Sequence, residues 1–177
     1  MMDMPLRDAA MTALILGFFA SSWFGWAQER PPAAWRPLLI TGMVLSLAVS
    51  ATGAVFAWRH WSGHSALSEP GAMRQYGIIL GVEFGVAAAG AAAIALLRHS
   101  EYVAPWICLV VGVHFFPMAP VLKSPPLFVL GAVLIAVAAA AVLICRGRDL
   151  ALSAVTGGGA GMALLGYASL SILVGIA

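Results

Sequence analysis

The chain has 177 residues, 62% of them hydrophobic and 9% charged, with a net charge of +2 and a mean hydropathy of +0.98. A water-soluble domain carries about 25% charged residues, so this chain lacks the polar surface for water and its composition asks for lipid. Nine Lys+Arg with no basic run beyond Arg146-Gly147-Arg148 exclude a nucleic-acid partner.

A helix crosses the hydrocarbon core of a bilayer with about 20 apolar residues. Six such runs fit here with short connections, which predicts an all-α polytopic membrane protein, one transmembrane domain over residues 1–177. Span one is read at 9–28. Its apolar stretch exceeds the ~7–15 residues of a signal-peptide core, and Asp3 and Asp8 flank the lone Arg7, so it is read as a retained span. Trp23 and Trp26, with Trp35 at the start of the next span, mark one membrane interface. Pro31-Pro32 cannot continue a helix and closes the connector.

Span two is read at 37–57, with Trp58 and Trp61 at the opposite interface. The connector 59–74 is the longest and most polar stretch. Its His60 and His64 would share a face only on a helix, and Ser62-Gly63 between them disfavours one, so they read as solvated loop residues rather than metal ligands.

Span three is read at 76–97. Gly77, Gly81 and Gly85 form a small-residue stripe of the kind that lets a neighbouring helix approach closely. At about 100° per residue, Glu83 points about 200° away from the middle of that stripe. Both faces then need neighbours other than lipid, which predicts that span three is the central helix. Span four, 103–122, starts with Trp106 and holds His114, Pro117 and Pro120. A proline lacks the amide donor and clashes with the preceding turn, so a kink or break is expected beside His114.

Span five, 127–145, has no polar side chain besides Cys145 and is expected to face lipid. Cys108 and Cys145 read as small apolar fillers. Span six, 150–176, contains Gly157, Gly158 and Gly159 in succession. Each interior glycine costs about 1 kcal/mol relative to alanine, so the run predicts a local unwinding or a very close helix crossing. The nine basic residues fall four on one side of the membrane and five on the other, which sets no orientation by the positive-inside rule.

Pro37–Leu45 resembles Pro126–Leu134, and Leu16–Phe19 echoes Val113–Phe116. These matches pair spans one and two with four and five and suggest a duplication of three spans. An odd number of spans per unit makes the halves antiparallel, a 3+3 inverted repeat as in many transporters.

Glu83 and His114 are the only ionisable side chains of acid or imidazole type deep within an apolar run. Measured from the turn at 98–102, at about 1.5 Å per residue, they lie about 21 Å and about 17 Å deep. That places them at nearly one level on neighbouring antiparallel helices. A bare carboxylate in hydrocarbon costs at least ~2.5–3.5 kcal/mol, and intramembrane ionisable residues mark sites. Such a pair can exchange protons, or it can simply lock two helices together.

Other chemistry is thin. The sequence has no HExxH and no phosphate-binding Gly-Lys loop. Haem held by two histidines would need a second intramembrane histidine, which only a dimer would supply. No cofactor, metal or catalytic residue is therefore expected.

Gly112-Val113-His114-Phe115-Phe116-Pro117, followed by Lys123-Ser124, resembles a G-x-H-x-x-P signature of small, uncharacterised bacterial six-span integral membrane proteins. The resemblance covers about twenty residues. It implies six spans and a place for His114, and with the alanine-rich usage it implies a multi-pass protein of a bacterial inner membrane. The combined expectation is a six-helix bundle, homodimeric through a glycine-lined face, that moves a small solute or protons. Glu83 and His114 are its titratable site, and Pro117, Pro120 and Gly157–Gly159 its helix breaks. The alternative is a non-transporting assembly protein in which the pair is structural. A third is a membrane redox or haem protein.

Overall fold

The computed structural model describes residues 5–176. They form six helices: α1 (Leu6–Trp26), α2 (Arg36–Arg59), α3 (Ala72–Leu96), α4 (Val103–Val121), α5 (Pro126–Cys145) and α6 (Leu152–Ile176). All six are long and apolar enough to cross a membrane, and the described residues contain no strand. The protein is a multi-pass membrane protein. Helix ends lie at most four residues from those expected.

The punctuation is local. Pro37 and Pro126 sit in the first turns of α2 and α5, where the missing amide donor costs no helical bond. Gly71, at φ 84°, takes the left-handed conformation that starts α3.

Within a bilayer, helices gain little from burying apolar surface against one another and associate through close packing. Here glycine provides the closeness. A Cβ on Gly53 would stand 2.5 Å from the Leu14 amide nitrogen and 2.7 Å from the Ala10 carbonyl, so α1 and α2 meet backbone to backbone. Ser50 Oγ donates across the same seam to the Leu14 carbonyl at 2.8 Å. Gly112 and Gly131 do the same between α4 and α5, each facing the other's carbonyl oxygen.

The centre is α6, which packs on α1, α2, α4 and α5. Its glycines explain this. A Cβ on Gly157 would lie 2.6 Å from the Trp23 carbonyl, one on Gly159 would meet Val137, and one on Gly161 would meet the Phe24 ring. The run Gly157–Gly159 is thus a close crossing and not a break: α6 continues through it unbroken. Beside it, the buried Thr156 Oγ1 has no hydrogen-bond partner.

Three other expectations are corrected and a fourth is left unconfirmed. Span three is peripheral, not central: 6% of its apolar window is buried in the bundle, against 50% for α1. Trp23 is a core residue 6% exposed, stacked on Trp26, and not an interface marker. Helix α5 gives only one face to lipid, through Val129, Val133 and Leu143, while Leu130, Leu134, Ala138 and Ala141 are buried. The inverted repeat is not confirmed. Contact between α1 and α2 has a counterpart in α4 and α5, but α3 lacks the set of neighbours that α6 has.

The long connector is tied down. Arg7 donates to the Gly63 carbonyl at 3.2 Å and lies over the Trp61 ring. Asp8 accepts from the Ala66 amide at 2.7 Å, and Glu69 pairs with Lys123. His60 bonds back to the Phe56 carbonyl at 2.9 Å.

Three substitutions test this packing by thermal unfolding in detergent. Gly53→Ala drives a methyl group into the α1 backbone and is expected to destabilise by about 1–3 kcal/mol, whereas Gly81→Ala, at an open position, is not. Thr156→Val removes an unsatisfied buried hydroxyl at nearly constant shape and is expected to raise the midpoint, by about 1–3 kcal/mol of stability. An unchanged Gly53→Ala midpoint would contradict the close crossing.

Candidate functional site

Helix α3 docks on α4 along one stripe. The half-buried positions are Tyr76, Ile79, Leu80, Glu83, Ala87, Gly90, Ala91 and Ile94, which return to one face at steps of three and four residues. That spacing keeps a single helix face toward one partner. Gly90 leaves room for the Trp106 ring, which lies directly against it. Trp106 Nε1–H donates to the Ala87 carbonyl at 3.2 Å, fixing the ring and the seam at this level.

Seven residues along α3 from Gly90, on the same face, the seam carries its polar pair. Glu83 Oε1 lies 3.4 Å from His114 Nδ1, and the two side chains are 10% and 11% exposed. The two side chains thus lie at one level, as helical rise from the 98–102 turn predicts, and in contact. His114 Nδ1 also lies 2.6 Å from the Val111 carbonyl oxygen. A carbonyl can only accept, so Nδ1 carries the hydrogen and neutral His114 presents a free lone pair on Nε2.

Neither the Glu83 carboxyl nor His114 Nε2 has a hydrogen-bond partner among the described residues, yet neither is sealed in protein, as Thr156 Oγ1 is. They open onto a crevice of about 390 Å³ between α3 and α4. Its walls are Ile78, Val82, Val86, Val110, Val113 and Pro117, with Trp106 above. Apart from the pair, the lining is apolar. Val82, Val86 and Val113 on its rim are exposed at mid-span, so the mouth opens sideways, toward the bilayer. The volume falls within the range of about 300–1,000 Å³ typical of small-molecule sites.

A larger cavity, about 640 Å³, lies at the membrane end where the α1–α2, α3–α4 and α5–α6 turns meet, with Arg30, Glu101, Arg146 and Ser153 among its walls. Glu83 is about 21 Å from that end by helix rise, and the two cavities share no lining residue.

The remaining expected features distribute as follows. Helix α4 runs unbroken through Pro117 and Pro120, so neither proline is a helix break, and Pro117 serves as crevice wall. Gly77, Gly81 and Gly85 lie opposite Glu83, as the 100° rule predicts, but they face outward with no atom near an added Cβ. The glycine that carries the α3–α4 contact is Gly90, which sequence reasoning passed over. Its signal was present: Tyr76, Glu83 and Gly90 recur every seven residues. No group of three His, Cys, Asp or Glu side chains able to hold a metal comes together among the described residues, and His60 and His64 form none.

Comparison with protein-family models, with curated proteins and with solved structures brings no match.

An apolar crevice with a carboxyl at its floor has a chemical signature. A lipid-soluble carbodiimide such as dicyclohexylcarbodiimide is expected to modify Glu83, seen as an adduct on its peptide by mass spectrometry and absent from Glu83→Gln. A water-soluble carbodiimide is expected to spare Glu83. Labelling by the water-soluble reagent alone would place the carboxyl in an aqueous channel instead.

Proposed function

We propose that this protein is a transporter of a small solute coupled to protons, in a bacterial inner membrane, with Glu83 and His114 as its exchange site. The observation that carries the reading is the Glu83–His114 contact at 3.4 Å, nine-tenths buried at mid-span, facing a cavity large enough for a solute. A carboxylate there is costly unless it has a companion. Glu83 therefore holds either its proton or a nearby positive charge. His114 Nε2, which carries no hydrogen, can take up the proton that Glu83 releases, while Nδ1, its hydrogen donated to the Val111 carbonyl, stands 3.4 Å from the carboxylate. The pair thus moves a proton without leaving a bare charge in hydrocarbon.

One observation favours a second reading. The pair lies on the α3–α4 seam, and α4 is the one helix against which α3 packs substantially. A purely structural role would make it a lock holding a peripheral helix to the bundle.

Flux in proteoliposomes with an imposed pH gradient separates the two. Wild-type protein is expected to dissipate the gradient faster than Glu83→Gln by a factor on the order of 10², the size of a typical acid–base contribution. Equal rates together with a lowered thermal midpoint for Glu83→Gln would leave the lock and remove the transporter.

A further inference from the structure

We infer that the crevice between α3 and α4 is a binding site for a lipophilic monocation that enters sideways from the bilayer and takes the place of the Glu83 proton. This substrate class rests on the exchange reading of the pair. Three observations point to it.

The first is charge. Glu83 and His114 are the ionisable residues among those lining the crevice, with no lysine or arginine. The site can thus offer one negative charge, while a positive charge is available only by protonating His114. An organic cation finds its counter-ion there, and an organic anion does not.

The second is shape and surface. About 390 Å³ of nearly wholly apolar wall is far more than a proton relay needs, and it suits a bulky apolar body. Trp106, pinned by Gly90 and Ala87, lines it about 12 Å along α4 from His114. An indole face attracts organic cations as well as apolar groups.

The third is access. The mouth is bounded by Val82, Val86 and Val113, exposed apolar residues at mid-span, so a molecule dissolved in the bilayer has a path to Glu83 that does not cross the polar end of the bundle.

The exchange balances in charge. The empty site holds a protonated Glu83 beside neutral His114. A cation enters and the carboxyl proton is released to the bulk buffer, so the loaded site, carboxylate plus cation beside neutral His114, is as neutral as the empty one. Few other groups bear on this titration. His114 faces Glu83 from α4, and Tyr76 lies two turns away on the same face of α3. The helical turn Ala66–Ser68 that packs on α3 has no titratable side chain, and Glu101 and Tyr102 stand at the far end of the helix.

The test is equilibrium binding of tetraphenylphosphonium to the full chain in lipid nanodiscs, against empty nanodiscs, across pH. The expected result is saturable binding whose apparent Kd falls by up to about tenfold per pH unit while the empty site is protonated, with about one proton released per cation. Glu83→Gln is expected to bind about a hundredfold more weakly. Val82→Trp, which fills the lipid-facing mouth with an apolar side chain, is expected to abolish binding at an unchanged thermal midpoint. It keeps the test decisive if Glu83→Gln fails to fold. Triphenylphosphine oxide, neutral and of similar shape, should not compete. Absent binding, pH-independent binding, or equal competition by the neutral compound would overturn the assignment and leave the crevice to acyl chains or a second copy. Glu83-dependent proton flux without cation binding would overturn the substrate class but keep the transporter. Cation binding without any flux would keep the site and remove transport.

Discussion

The Glu83 carboxyl lies at a depth where only protein or a bound molecule can solvate it, on the helix with the fewest neighbours. What the protein provides is the imidazole of His114, 3.4 Å away, whose own hydrogen is held by the Val111 carbonyl. The helices around this contact are arranged so that it holds. Gly90 admits Trp106, Trp106 reaches the Ala87 carbonyl, and the seam so fixed puts Glu83 and His114 at one level. Loss of that alignment would leave a carboxyl in hydrocarbon with nothing to share its proton or its charge.

The rest of the bundle is built by a different device. Glycines at the α1–α2, α4–α5 and α1–α6 crossings let backbones approach within van der Waals range, and on α2 the Ser46 hydroxyl bonds to its own helix and the Ser50 hydroxyl to the Leu14 carbonyl of α1. This makes α1, α2, α4, α5 and α6 a tightly packed body with α3 laid along one side. At one membrane end, the contacts of Arg7, Asp8 and Glu69 tie the long connector before α3 to α1 and to Lys123. The polar pair therefore sits between the packed body and its most loosely held member.

Much of this was legible in the residues. Apolar run lengths gave six spans, because the bilayer dictates how much chain is needed. Counting helical rise from the 98–102 turn put Glu83 and His114 at nearly one level on neighbouring helices. What the sequence did not reveal was which helix is central. Gly77, Gly81 and Gly85 form the more regular stripe, yet they face outward, while Gly157, Gly159 and Gly161 carry the crossings of α6. A glycine permits close approach without naming the neighbour, so its pattern cannot tell a buried face from an open one. The prolines of α4 misled for a related reason. A proline removes one backbone donor, but a helix held by neighbours on its other turns tolerates the loss. The lateral crevice was invisible in the sequence, because its walls are ordinary aliphatic residues whose significance comes only from the two groups beneath them.

The sideways mouth of the crevice makes the surrounding lipid part of the site. Beyond Val82, Val86 and Val113 the enclosure is completed by whatever fluid molecules happen to lie there. The effective dielectric felt by Glu83 and His114 is set jointly by protein and annular lipid, and it changes when micelles replace the bilayer. Extracted and embedded forms of this chain consequently present two different environments to the same carboxyl.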